Sequence, residues 1–245
     1  MRQKIFLAIL NEGTIRVELA KLILYWQMKN EYDIVVGFPN DKPIEANRNR
    51  LVGKFMETDC DWLVQIDDDV VPPENYLDLI LYNKDVISGV CYAYRQDAIV
   101  PLILGKNEED GLWKNLDVNP NDGLIEVDSM GTGAMIIHRR VFENPEMRKH
   151  PFMSVWNEDG TRKKGLDLMF CEKAKAQGFG VWCHLKYKCS HIVETDLMEI
   201  ERAMIIREIN GGAIDNNFRM RRIDAQTPQN IRKKFVIKKQ QNAIK

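Results

Sequence analysis

Three consecutive carboxylates, Asp67-Asp68-Asp69, close the apolar run Trp62-Leu63-Val64-Gln65-Ile66 and precede Val70-Val71-Pro72-Pro73. Carboxylates crowded this closely repel one another unless water or a cation neutralises them. Asp67 and Asp69 both reach one site if the chain turns between them. Oxygen ligands of this kind suit Mg2+ or Mn2+, which fill their remaining positions with water and phosphate oxygens. The plainer alternative is a solvated cap for a helix beginning near Pro73, because Asp is a favoured cap residue.

Four more residues are of a type to work beside such a site. Asp167 follows Gly165 at the start of a predicted helix, whose N-terminal dipole keeps a carboxylate ionised, as a general base requires. His191 lies in Tyr187-Lys188-Cys189-Ser190-His191-Ile192, just after a predicted strand, and is either a core histidine or a metal ligand. Arg48 stands three and four residues before Leu51 and Val52, hence on the buried face of its helix. A guanidinium there needs an anion, either the acidic triplet or a substrate phosphate. Asn11, at the end of the first strand, falls in the cleft by topology and is a candidate nucleotide contact.

The elements that would position these residues alternate in type. Ile5–Leu10, Tyr32–Phe38, Trp62–Ile66 and Asp85–Tyr92 read as strands. Between them Thr14–Met28, Ile44–Thr58 and Pro73–Asn83 read as helices. This βαβαβαβ order predicts an α/β fold, a Rossmann-like, mostly parallel sheet flanked by helices. In such sheets ligands bind at the carboxyl ends of the strands, where the triplet lies. Residues 95–127 read as loops with short strands, Ala134–Ile137 as a strand after Gly131-Thr132-Gly133, Leu166–Gln177 as a helix and Gly180–His184 as a strand. Past Thr195 the composition shifts. We expect a domain over residues 1–195 and a helical, basic extension over 196–245, opening with the amphipathic Leu197–Ile209.

Composition excludes some classes of function. With 245 residues, 44% of them hydrophobic, the chain can bury a substantial core, and its net charge of -1 argues against a dedicated nucleic-acid binder. No apolar run approaches the roughly 20 residues of a membrane span. Five cysteines without paired spacing suggest reduced thiols and a cytoplasmic setting. The basic stretch from Arg219 to Lys239 would suit an anionic membrane surface or a second subunit, making the expected localisation cytoplasmic, with a peripheral membrane contact as the variant.

The apolar strand ending in Asp-x-Asp, the helix with Asn47-Arg48-Asn49 before it and Val70-Val71-Pro72-Pro73 after it resemble the DxD region of GT-A glycosyltransferases. The likeness is to the family-2-like enzymes that use nucleotide-diphosphate sugars. Val127–Phe142, with Gly131-Thr132-Gly133, resembles the loop and strand lining that family's cleft, and Gly165–Ala174 resembles its base-bearing helix. Leu166 stands where the family usually has Glu. The resemblance implies a GT-A fold and transfer of a sugar from a nucleoside diphosphate, UDP more than GDP, to a glycan, lipid or protein hydroxyl with inversion. It implies Mn2+ or Mg2+ on Asp69, with Asp67 and His191 completing the metal shell. Asp67 would also reach the ribose, Asp68 would stand behind the metal, and Asp167 would be the base. Three other readings are a haloacid-dehalogenase-type phosphatase with Asp67 as nucleophile, a nucleotidyltransferase on a similar sheet, which would need a glycine-rich, lysine-bearing loop where Asn11-Glu12-Gly13-Thr14 offers one glycine and no nearby lysine, and a non-catalytic sugar-nucleotide or glycan-binding protein on the same scaffold.

Overall fold

The computed structural model describes residues 2–95, 98–107, 111–119, 122–194 and 196–209. Its centre is a seven-stranded sheet. In chain order the strands are β1 (Lys4–Leu10), β2 (Asp33–Gly37), β3 (Trp62–Asp67), β5 (Val86–Val90), β6 (Leu124–Glu126), β7 (Ala134–His138) and β8 (Val181–Lys188). The number β4 is given to the short strand Val70–Val71, and β9 to Ser190–His191; these two pair with each other outside the main sheet. Across the main sheet the order is β6-β8-β5-β7-β3-β1-β2. Pairs β1–β2, β1–β3 and β5–β8 are parallel, while β7 runs against β3 and β5, and β6 against β8. Most strands therefore share one direction, as the alternating sequence pattern predicts.

The inner strands read as continuous apolar runs because both of their faces are covered. Along β1, Ile5, Leu7 and Ile9 enter one core, and Phe6, Ala8 and Leu10 enter the other. Helix α1 (Val17–Lys29) covers the first face through Leu19, Leu22, Ile23 and Trp26. A 3-10 helix, Tyr76–Tyr82, joins it there with Tyr76, Leu77, Leu79 and Ile80. The second face is covered by α2 (Ile44–Met56), through Leu51, Val52 and Phe55, and by α3 (Leu166–Ala176), through Leu166, Phe170, Cys171 and Ala174. Each Val, Leu, Ile or Phe side chain among them contributes about 1.5–3 kcal/mol by leaving water. All five cysteines are buried free thiols.

Two features differ from the sequence reading. The segment expected as an ordinary helix over Pro73–Asn83 is a 3-10 helix, ended by Asn83 in the left-handed conformation at φ 48°. The strand after the Gly-Thr-Gly turn inserts between β3 and β5 against their direction, where a simple βα alternation would pair β3 with β5.

The sheet belongs to a compact unit formed by Met1–Arg95 and Ile99–Asp196; a second unit begins at Leu197. Of the second, the helix Leu197–Ile209 is described, with the bounds its amphipathic pattern predicts. The basic stretch from Arg219 onward lies outside the described residues. Among the described residues, no helix is long and apolar enough to cross a membrane.

Candidate active site

The acidic triplet leaves the sheet at the carboxyl end of β3. Two backbone bonds fix the exit: Asp67 N–H donates to the Gly133 carbonyl (2.8 Å), and Asp68 N–H to the Leu10 carbonyl (3.0 Å). Beyond the turn, β4 pairs antiparallel with β9, setting Val70 opposite His191 and Val71 opposite Ser190. The Ile192 N–H donates to the Asp69 carbonyl (2.8 Å), which extends the ladder past His191.

This short ladder brings His191 to the triplet. Its Nε2 lies 3.3 Å from Asp69 Oδ2, and its Nδ1 lies 2.6 Å from the Tyr92 carbonyl. A carbonyl only accepts, so Nδ1 carries the hydrogen and Nε2 is the nitrogen presented to Asp69. Adjacent octahedral ligands of a small divalent ion, each at about 2.1 Å, stand roughly 3 Å apart. The Asp69–His191 spacing fits that edge, and a histidine oriented through its other nitrogen is the usual arrangement for a metal ligand. The residues therefore suit a Mg2+ or Mn2+ held by two protein groups, with water and phosphate oxygens completing the shell.

Asp67 has a different partner. Arg48 Nη2 donates to Asp67 Oδ1 at 2.6 Å, and Arg48 Nη1 reaches the Thr132 carbonyl at 3.4 Å. The guanidinium is 2% exposed and lies over the Phe152 ring, 5.8 Å from its centroid. Of the two anions that the buried position of Arg48 calls for, the structure supplies the acidic triplet. Burial pushes the Asp67 carboxyl up to about 6; Arg48 opposes that rise, while Asp69 and Asp167 add to it. Among the described residues no group of three or more His, Cys, Asp or Glu side chains is gathered as a metal site. Asp69 and His191 are brought together, and Asp67 is held by Arg48 beside them.

The Gly131-Thr132-Gly133 turn packs directly on this cluster. A Cβ on Gly133 would stand 3.0 Å from a Val70 methyl and 3.7 Å from Asp67 Oδ2. Asp167 occupies the first turn of α3 after the cap residue Gly165, and its charge is felt at Asp67. Asp68 is half-buried at the turn. Asn11 is committed to its own loop: its Nδ2 donates to the Ile9 and Pro39 carbonyls (3.0 and 3.3 Å), and its Oδ1 accepts from Gly13 N–H (2.9 Å). Tyr92, Thr132 and Phe152, which orient His191 and Arg48, escape sequence reasoning because two of them act through backbone carbonyls. Asn47, buried on α2 with its Oδ1 unpaired among the described residues, is a further polar group on that helix.

No protein-family model matches the sequence, and no curated protein matches it. Comparison with solved structures gives matches at low identity. The crystal structure of A197 from STIV matches with a TM-score of 0.53 at 20% identity, over 79% of this chain and 87% of that one. GalNAc-T7 with UDP, GalNAc and Mn2+ aligns at TM-score 0.48 and 13% identity, over 79% of this chain and 44% of its own. A glycosyltransferase involved in the glycosylation of the major capsid of PBCV-1 aligns at TM-score 0.34 and 12% identity, over 80% and 98%. The likeness to A197 establishes a common α/β architecture.

Proposed function

We propose that the protein is a GT-A-type glycosyltransferase that moves a sugar from a nucleoside diphosphate, UDP in preference to GDP, to an acceptor hydroxyl with inversion. The observation that carries this reading is the pairing of Asp69 with an oriented His191 at the carboxyl end of β3. The DxD resemblance and the sheet order support it, because the carboxyl ends of parallel strands are where such sheets take nucleotides.

Asp69 and His191 would hold a divalent cation, which would supply Lewis-acid stabilisation of the departing diphosphate. The chain's own groups do the rest. Arg48 fixes Asp67 at the rim of the phosphate site, and the Gly-Thr-Gly turn lets the backbone approach it closely. Asp167 accepts the acceptor's hydroxyl proton as the acceptor oxygen bonds to the sugar's anomeric carbon and the bond from that carbon to the phosphate oxygen breaks.

Thermal shift with UDP, GDP, CDP and ADP, each with and without Mn2+, tests the donor site. Stabilisation by UDP or GDP that requires the metal is expected, and a ligand at a hundred times its Kd contributes about 2.7 kcal/mol. Asp167→Asn should retain that shift and lose about 10²- to 10⁴-fold in sugar-donor turnover. No shift with any nucleotide removes the donor reading, and equal turnover in wild type and variant removes Asp167 as the base.

A further inference from the structure

An open sheet has two edges, and here they differ. At one end β6 is three residues long, and so short a strand is a poor template for another chain. At the other end β2 has five residues, Asp33–Gly37, and among the described residues it is bonded to β1 alone. Bonds at either end of β2 fix which of its residues turn inward. Asp33 N–H donates to the Gln3 carbonyl (3.0 Å), and the Pro39 carbonyl accepts from Asn11 N–H (3.1 Å). Odd-numbered residues therefore direct their main-chain groups to β1, and Ile34 and Val36 turn theirs outward. The Ile34 carbonyl agrees, because Gln27 Nε2 of α1 donates to it at 3.3 Å. A side-chain N–H thus stands where the backbone N–H of a further strand would.

This edge lacks the devices that keep strand edges apart. Ile34-Val35-Val36-Gly37 holds no charge and no proline, and its register with β1 is unbroken by a bulge. Asp33 is the one charged residue of the strand, at its first position, with Arg2 3.5 Å away. Apolar side chains stand open beside it. Val35 is 51% exposed, and Phe38 just past the strand is exposed as well. On α1, Leu24 and Met28 share one helical surface with Gln27, and both are exposed.

We propose that β2 is the seam of a homodimer, in which two copies of the chain pair these edges antiparallel about a two-fold axis at Val35. The register follows from the direction of the main-chain groups. Antiparallel neighbours exchange both bonds between outward-facing residues, so Ile34 meets Val36 of the second copy and Val36 meets its Ile34. Val35 falls at a non-hydrogen-bonded position and meets its own counterpart, a β-branched pair on the axis. Asp33 falls opposite Gly37, so no charge faces its like.

A two-fold interface demands a surface that complements itself, and this strand does so in outward groups, side chains and charge. That self-complementarity favours a second copy over an extended peptide of another protein. The two seven-stranded sheets join into one. Strands run in opposite senses across the seam, so the carboxyl ends that bear Asp69 face opposite ways and neither site covers the other. The pairing is independent of the reaction assigned to the site.

Sedimentation of the full chain tests the seam. Wild type should pass from monomer to dimer across about 1–100 μM. Val35→Lys and Val35→Glu each set like charges on the axis, and each should raise the dimer dissociation constant at least about tenfold. Their far-UV circular dichroism should match wild type, because Val35 is an exposed side chain. An equimolar mixture of the two variants should recover the dimer, since opposite charges then meet on the axis. Hydrogen exchange at the Ile34 and Val36 amides should be slower in wild type than in Val35→Lys, with β1 unchanged. A wild type that stays monomeric throughout that range overturns the proposal. So does a dimer untouched by Val35→Lys, whose seam lies elsewhere, and so does a mixture of the two variants that stays monomeric.

Discussion

Replacing Arg48 by Met removes the guanidinium that neutralises Asp67 while keeping most of the side-chain volume against Phe152. The pair is close, 2.6 Å between Nη2 and Oδ1, with Arg48 2% exposed and Asp67 29%. With charge centres about 4 Å apart and an effective dielectric near 20, the attraction is about 4 kcal/mol. Breaking a buried pair from one side costs about 3–5 kcal/mol. The cost must depend on pH, because Asp67 escapes its predicament by binding a proton. Its carboxyl is raised from 3.8 to about 6 in the folded protein. A raised acid gives its full contribution below the unfolded value, and that contribution is lost as pH climbs through the folded value, here by about 3 kcal/mol. Without Arg48 the carboxyl rises further, so the variant holds its proton at pH 5 and is penalised at pH 7.5. Urea unfolding of the metal-free protein should show Arg48→Met destabilised by about 3 kcal/mol at pH 7.5 and by less than about 1 kcal/mol at pH 5. The double variant with Asp67→Asn should recover most of the loss at pH 7.5. Equal destabilisation at both pH values, or strict additivity of the two substitutions, would refute the pairing argument.

His191→Gln and Asp69→Asn should each weaken Mn2+ binding, measured by calorimetry, about 10- to 100-fold or more, with little change in Tm for metal-free protein because both side chains lie at the cleft surface. Retained affinity in both would place the metal elsewhere. Gly133→Ala pushes a methyl to within 3.0 Å of Val70; it should cost about 1–3 kcal/mol of stability and weaken Mn2+ binding by displacing β4. Wild-type Mn2+ affinity in that variant would uncouple the turn from the site.

Much of the architecture can be read from local pattern. The runs Lys4–Leu10, Trp62–Asp67 and Val86–Val90 are apolar because both sheet faces are covered, and the apolar spacing of α1 and α2 follows from packing on those faces. The burial of Arg48 is legible for the same reason, since a helical period assigns it to the core side. Its partner is not: period says which face a side chain takes, and the anion comes from another element 19 positions away. The place of Ala134–His138 is likewise hidden, because a strand's neighbours depend on long-range pairing that its own residues do not encode. His191 is the sharpest case. Its contact with Asp69 depends on a ladder of two residues per strand, too short for any alternation to register, and on the Tyr92 carbonyl, which carries no side-chain signal.

That ladder has a consequence for how the molecule comes into being. Asp69 and His191 are separated by 122 positions, and closing so long a span is entropically unfavourable until the intervening chain has collapsed. During vectorial synthesis the triplet emerges early, together with Arg48, which already stands ready to balance one of its charges. The imidazole arrives only after β8 has been made and has docked beside β5. The two-residue ladder therefore acts as a completeness check: a partly synthesised chain shows carboxylates alone, and the mixed oxygen–nitrogen pair is presented once the far edge of the sheet is in place.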